Sequence, residues 1–183
     1  MKDPGSVGGD ERLRLFLALR LPDEVLDAVV AWQTRLRGVR LGPREHLHVT
    51  LAFLGSRPAG EVPGIVDVLR VAAAGAGGIR LGVERYRETR SVGMLVLADE
   101  GGRAAALAED VQERLGRLGA YRREGRPWLP HVTVARFRER PGLRLDPPPV
   151  RTFVPSDAAA YLSRLRPSGA QYEVLETVAL GGQ

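Results

Sequence analysis

Apolar residues along the chain follow two spacings, which predict alternating strands and helices. Apolar and polar residues that alternate over four to eight positions indicate strands, and apolar residues three or four positions apart indicate helices. The predicted strands lie at 14–21, 47–54, 79–86, 93–98, 129–137, 158–165 and 171–179. The predicted helices run from Pro22 to Gly38, through 62–71, and from about 107 to Gly119, with a flexible break at 72–78 and proline-rich irregular chain at 141–149.

This mixed order of elements predicts an α+β fold. We expect two pseudo-symmetric lobes, each an antiparallel-type sheet with helices on its outer face, and a functional cleft between them. A length of 183 residues suits one domain. The expected domain covers 12–183, and the polar, glycine-rich 1–11 is expected to be a flexible N-terminal segment.

One short motif occurs twice, as His48-Val49-Thr50-Leu51 and His131-Val132-Thr133-Val134, and uses two of the three histidines in the chain. Each copy lies in a predicted strand, where successive side chains point to opposite faces. Histidine and threonine therefore share one face, and the apolar residues share the other. Because the duplication indicates an internal repeat, we expect the two strands to present a paired acid/base site.

The charge of the chain favours an anionic partner. The net charge is +5, and Lys2 is the only lysine, so arginine supplies the positive charge. Arginine suits phosphate because its donors form a rigid fork. Arginines precede both motifs, at 35–44 and at 122–126, which favours RNA; the alternative is that they form solvated faces and reflect genome composition or heat tolerance.

Other features limit the chemistry and the compartment. The chain contains no cysteine, which excludes disulfides, thiolate nucleophiles and cysteine-ligated metals. It has no apolar run long enough to span a membrane and no signal-like segment, so we expect a cytoplasmic protein with no membrane contact. We also expect a monomer. Two opposed histidines suit in-line displacement at phosphorus, one accepting a proton and the other donating one, with no cofactor.

The chain resembles the two-histidine phosphoesterases, and within them the bacterial and archaeal RNA 2′,3′-cyclic phosphodiesterases, historically called 2′-5′ RNA ligases. The two His-x-Thr motifs are the specific part of this resemblance. Weaker matches fall in the expected order at 14–22, 46–55, 130–136, 162–163 and 169–175. The resemblance implies hydrolysis of an RNA terminal cyclic phosphate to a 2′-phosphomonoester, and the same proton transfers in reverse allow 2′-5′ ligation.

The resemblance also implies roles for individual residues. His48 would be the proton donor and His131 the proton acceptor, while Thr50 and Thr133 hold the phosphate. Arg136 matches a family arginine, although strict alternation from His131 turns it to the opposite face, so its role requires a strand end or a bulge.

Two further residues are assigned to substrate binding. Phe16 is one, and Leu17 stands where some members carry a second aromatic. His46 is the other; with His48 and His131 it could form a zinc site, but that site would not explain the threonines, and we expect no metal. Phe53, Trp128 and Tyr172 are interpreted as core or rim residues.

Two other functions agree with the same residues. One is a cyclic phosphodiesterase that acts on small nucleotides, and the other is a non-catalytic module that binds RNA ends.

Overall fold

The computed structural model describes residues 11–182, so the predicted N-terminal segment lies outside the described residues except for Glu11. Three α-helices and eight strands alternate along this part of the chain. In chain order they are β1 (Arg12–Arg20), α1 (Asp23–Gln33), β2 (Arg40–Leu41), β3 (His48–Pro58), α2 (Val62–Ala74), β4 (Arg80–Glu88), β5 (Val92–Glu100), α3 (Arg103–Arg117), β6 (His131–Arg136), β7 (Asp157–Arg166) and β8 (Gly169–Val178). Short 3₁₀ turns at Arg44–His46 and Ala59–Glu61 precede β3 and α2.

The strands form one antiparallel sheet in the order β4-β5-β6-β3-β1-β7-β8. The short strand β2 pairs with the C-terminal end of β6, at Ala135 and Arg136. The predicted α+β fold is therefore confirmed. The two halves of the molecule meet where β3 lies beside β6, through the single residue pair Val49 and Val132. The two expected sheets are thus joined edge to edge at the two motifs.

The three helices cover one face of the sheet and form the main core with it. Leu15, Leu17 and Leu19 of β1 point toward the helices and are almost fully buried. Their neighbours Phe16 and Ala18 point to the opposite face, where they pack with residues of β7 in a second, smaller cluster. The helix-free face is therefore available for a site. Within residues 11–182, no helix is long and apolar enough to cross a membrane.

Three predicted boundaries were wrong. Gly55 does not end the motif strand; it lies inside β3 with φ of 66°, beside an irregularity in the pairing with β1. A glycine with positive φ serves a bulge as well as a turn. The first helix ends at Gln33, not at Gly38, and Ala72–Ala74 of the predicted break belong to α2 because alanine favours helix.

Candidate active site

A cleft of about 550 Å³ opens on the helix-free face of the sheet, where its two halves meet. It brings together every residue that the sequence assigned to the site. These are Phe16, His46, His48, Thr50, His131, Thr133 and Arg136.

The pairing of β3 with β6 sets the arrangement of the two motifs. Val49 and Val132 are partners, and both are buried in the core. One residue further along an antiparallel pair, His48 lies opposite Thr133, and Thr50 lies opposite His131. Residues that are opposite each other have Cβ atoms about 5 Å apart. Each imidazole therefore has the hydroxyl of the other motif as its cross-strand neighbour.

A β-bulge lies at the last residue of each motif and explains the position of Arg136. Leu51 is the extra residue of β3 opposite β1, and Val134 is the extra residue of β6 opposite β5. A bulge interrupts the alternation of side chains by one position. Phe53 and Arg136, each five residues after its histidine, consequently line the cleft.

His48 lies in an aromatic environment. Its ring stacks on Phe16 with centroids 4.9 Å apart, and Tyr161 and Tyr172 lie within 5.8 Å. Its Nδ1 is buried without a hydrogen-bond partner, while its Nε2 lies 3.2 Å from Thr50 Oγ1.

This desolvation lowers the pKa of His48 from 6.5 to about 4. The backbone of His46 raises the pKa of His48 in part, without a hydrogen bond to Nδ1. The imidazoles of His46 and His131 lower the pKa further. At pH 7 His48 is therefore neutral in the free protein.

His131 has a different environment. Its Nδ1 lies 2.8 Å from the backbone carbonyl oxygen of Leu129. Because a carbonyl can only accept a hydrogen bond, Nδ1 carries the proton of this bond. In the neutral ring the lone pair is then on Nε2, the nitrogen that a proton acceptor needs.

The charge of the cleft is positive. Among its described lining residues are the arginines Arg14, Arg40 and Arg136, and no aspartate or glutamate. Such a surface favours an anion.

Most of the arginines that precede the motifs in sequence do not reach this cleft. Arg44 pairs with Asp23 and Asp27, Arg123 with Glu109, and Arg126 with Glu124. Of the two predicted clusters, only Arg40 lines the cleft within the described part of the chain. The solvated-face interpretation therefore describes Arg44, Arg123 and Arg126.

Two predicted substrate-binding residues contact other aromatic side chains. Phe16 is only 3% exposed, since it packs against His48, Tyr161 and Tyr172. The ring of His46 stacks on Tyr172 at 4.1 Å, and burial lowers its pKa. No group of three or more His, Asp or Glu side chains within 11–182 could hold a metal ion.

Sequence reasoning did not place Arg14 in the cleft, and it interpreted Phe53 only as a core or rim residue; both line the cleft. Phe53 is 45% exposed, and the guanidinium carbon of Arg14 lies 4.6 Å from the centroid of its ring. The signal that could have identified Phe53 is its spacing, since it follows His48 by the same number of residues as Arg136 follows His131.

Comparison with known proteins gives matches over almost the whole chain. A relative from Thermus thermophilus named RNA 2′,3′-cyclic phosphodiesterase is 36% identical over 188 residues, covering 93% of this chain and 92% of the relative. A relative of the same name from Methanocaldococcus jannaschii is 22% identical over 176 residues, covering 90% of this chain and 99% of the relative.

Solved structures share the fold. A crystal structure of a Thermus thermophilus protein matches with a TM-score of 0.78 and 32% identity, covering 93% of this chain and 100% of that one. The apo structure of LigT from E. coli matches with a TM-score of 0.79 and 22% identity, covering 94% and 99%. A family model, the 2′-5′ RNA ligase superfamily, matches residues 21–170. This chain therefore belongs to the 2′-5′ RNA ligase superfamily.

Proposed function

We propose that this protein hydrolyses a 2′,3′-cyclic phosphate at the end of an RNA to a 2′-phosphomonoester. One observation carries the proposal: two imidazoles and two threonine hydroxyls line a cationic cleft that has no carboxylate among its described lining residues. That set of groups matches an anionic phosphodiester that needs one proton removed and one proton supplied. Both curated relatives are named RNA 2′,3′-cyclic phosphodiesterase.

The proposed reaction is a single in-line displacement. Nε2 of His131 takes a proton from water, and the water oxygen forms a bond with phosphorus. The bond between phosphorus and O3′ breaks, and O3′ receives a proton from His48. Thr50 and Thr133 donate hydrogen bonds to the non-bridging oxygens, where negative charge increases in the transition state.

The donor role of His48 requires the substrate to change its protonation. A pKa of about 4 leaves His48 neutral at pH 7 before binding. A phosphate anion beside the ring stabilises the charged form and raises the pKa, because an opposite charge at close range offsets desolvation. In this proposal the bound substrate brings His48 into the protonated form that acts as the general acid.

All the groups used belong to one chain, and no step needs a metal. We therefore propose a monomer formed by one domain over 12–183, active without a cofactor.

The direct test uses an oligoribonucleotide with a 2′,3′-cyclic phosphate end in buffer with EDTA. The wild-type protein is expected to release a 2′-phosphomonoester at a rate that EDTA does not change. His48→Gln and His131→Gln are each expected to lower kcat by about 10²- to 10⁴-fold. Tight binding of the oligonucleotide without turnover would favour an RNA-end-binding module, and full activity in either variant would exclude the mechanism.

A second experiment separates RNA from small cyclic nucleotides. An RNA enzyme gains affinity from phosphates beyond the cleaved one and loses that gain in salt. We expect kcat/KM to increase with chain length, and Arg136→Met to reduce the increase. Arg126→Met is the matched control, because Arg126 pairs with Glu124 and does not line the cleft. Equal kcat/KM for a mononucleotide and a long oligonucleotide would favour the small substrate.

A further inference from the structure

Both bulges at the ends of the motifs are held by glutamine side chains. Gln112 donates through Nε2 to the carbonyl oxygen of Leu51 at 2.9 Å. Gln33 donates through Nε2 to the carbonyl oxygen of Val134 at 2.7 Å, and also to that of Gly42 at 2.9 Å. Gln33 is only 3% exposed, so its amide depends on these partners. The two bulges thus have equivalent contacts.

The contacts are reciprocal between the two halves of the chain in sequence order, each of which contains one helix with a glutamine and one His-x-Thr motif. Gln33 ends α1, which precedes the first motif, but it binds the bulge of the second motif. Gln112 lies in α3, which precedes the second motif, but it binds the bulge of the first. Each half of the chain therefore fixes the strand that carries the other half's histidine.

The repeat is also present in the sequence. Gln33 begins the segment Gln-Thr-Arg-Leu at 33–36, and Gln112 begins Gln-Glu-Arg-Leu at 112–115. The leucine that ends each segment is buried in the core. A second repeated pattern, located before each His-x-Thr motif, therefore accompanies the symmetric contacts.

We propose that Gln33 and Gln112 are positioning residues for the reaction, an inference that rests on the function proposed above. Each glutamine fixes the carbonyl of a bulge. The bulge in turn sets the threonine before it and the cleft residue after it, Phe53 or Arg136. Misplacement of reacting groups by about 1 Å can cost about 100-fold in rate, so small shifts of these strands matter.

The kinetic test replaces each glutamine by methionine, which has similar length but no donor. Gln33→Met and Gln112→Met are each expected to lower kcat about tenfold or more on a cyclic-phosphate-ended oligonucleotide. Glu113→Met is the matched control on α3, because Glu113 is an exposed neighbour that pairs with Arg117. A lower Tm with unchanged kcat well below the unfolding transition would show a merely structural role and overturn the proposal.

A second measurement does not need turnover. The chain has three histidines, so its imidazole Cε1–H resonances can be assigned with single variants. Gln112→Met is expected to shift the resonance of His48, and Gln33→Met that of His131, while Glu113→Met shifts neither. If Gln33→Met does not fold, the resonance shift of His48 in Gln112→Met tests the proposal by itself, because Gln112 is only half-buried.

The two measurements separate this inference from the proposed function. If the wild-type protein does not hydrolyse the oligonucleotide but the reciprocal shifts occur, the function fails and the positioning of the imidazoles stands. If the wild-type protein is active and the variants leave all three resonances unchanged, the positioning role fails. If each variant shifts the histidine of its own half, the reciprocal arrangement is wrong.

Discussion

The two motif strands have the same sequence pattern but give their histidines different environments. His48 of β3 stacks on Phe16 and has a buried Nδ1 with no partner, which lowers its pKa to about 4. His131 of β6 has its Nδ1 bound to the carbonyl of Leu129 and has no aromatic neighbour among the described ring contacts. A duplicated motif thus provides two imidazoles with separate properties, as an acid and a base require.

The difference comes from parts of the chain outside the two motifs, since the motif strands are alike. The aromatic side chains around His48 come from β1, β7 and β8, and β8 has no counterpart on the other side of the sheet. The carbonyl that binds His131 belongs to the chain just before β6. The repeat supplies the two imidazoles, and elements outside the two motifs give them different surroundings.

The pH dependence of the two histidine variants tests this comparison with the largest expected effect. Both His48→Gln and His131→Gln are expected to lower kcat by about 10²- to 10⁴-fold. We expect the profile of residual activity against pH to lose its rising limb, on the acid side, in His131→Gln. In His48→Gln we expect it to lose its falling limb, on the alkaline side. Loss of the opposite limbs would reverse the assigned roles.

The pH profiles of kcat and kcat/KM for the wild-type protein test the role of His48 further. In the proposed mechanism a bound phosphate raises the pKa of His48, so the falling limb is expected at higher pH in kcat than in kcat/KM. Identical limbs in the two profiles would contradict the proposed effect of the substrate.

The stability of the protein should depend on His48 as the pH falls. The folded protein binds a proton at His48 only near pH 4, whereas the unfolded chain binds one near pH 6.5. The contribution is therefore complete above pH 6.5 and is lost as the pH falls toward 4, a decrease of about 3 kcal/mol in the free energy of unfolding.

Urea unfolding of the wild type and His48→Gln measures this contribution. Between pH 7 and pH 4, His48→Gln is expected to lose less stability than the wild type, because the variant lacks the buried imidazole. If the free energy of unfolding decreases equally with falling pH in the wild type and His48→Gln, burial does not perturb the pKa of His48.

The two threonines should behave alike, in contrast to the histidines. Thr50→Val and Thr133→Val each remove one proposed hydrogen-bond donor to the phosphate and are expected to lower kcat about tenfold or more, by equal factors. Thr34→Val is the control, since Thr34 is exposed on the outside and its hydroxyl binds Ala31. A large loss in one variant only would show that a single motif holds the phosphate.

Removal of the aromatic contact should make the two histidines more similar. Phe16→Leu is expected to raise the pKa of His48, because it takes away part of the ring that excludes water. An NMR titration of Cε1–H measures the shift. Phe153→Leu is the matched control, since Phe153 is also buried but lies away from the cleft. A pKa of His48 that stays near 4 in Phe16→Leu would assign the desolvation to other groups.

Much of the fold and the site could be predicted from the sequence. The spacing of apolar residues identified the helices and the longer strands, and the duplicated motif identified His48, Thr50, His131 and Thr133 as one group. These features depend on local alternation or on repetition within the chain, so a single sequence contains them.

The bulges could not be predicted from the apolar pattern. Leu51 is followed by Ala52, and Val134 by Ala135, and all four side chains are buried. Two consecutive apolar residues do not show which of them is the extra one. Strict alternation therefore placed Arg136 on the wrong face.

The properties of His48 also depend on residues distant in sequence. Tyr161 and Tyr172 follow it by more than 100 positions and reach it only because β1 lies between β3 and β7. The arginines show the reverse case, since Arg44, Arg123 and Arg126 are near the motifs in sequence but bind carboxylates elsewhere.

The three arginines of the cleft have a consequence for product release. Hydrolysis of a cyclic diester, which has one negative charge, gives a monoester with a charge of about −2 near neutral pH. Arg14, Arg40 and Arg136, with no carboxylate among the described lining residues to repel an anion, attract the product more strongly than the substrate. We therefore expect slow departure of the phosphomonoester, competition between inorganic phosphate and the substrate, and faster turnover in moderate salt when substrate is saturating.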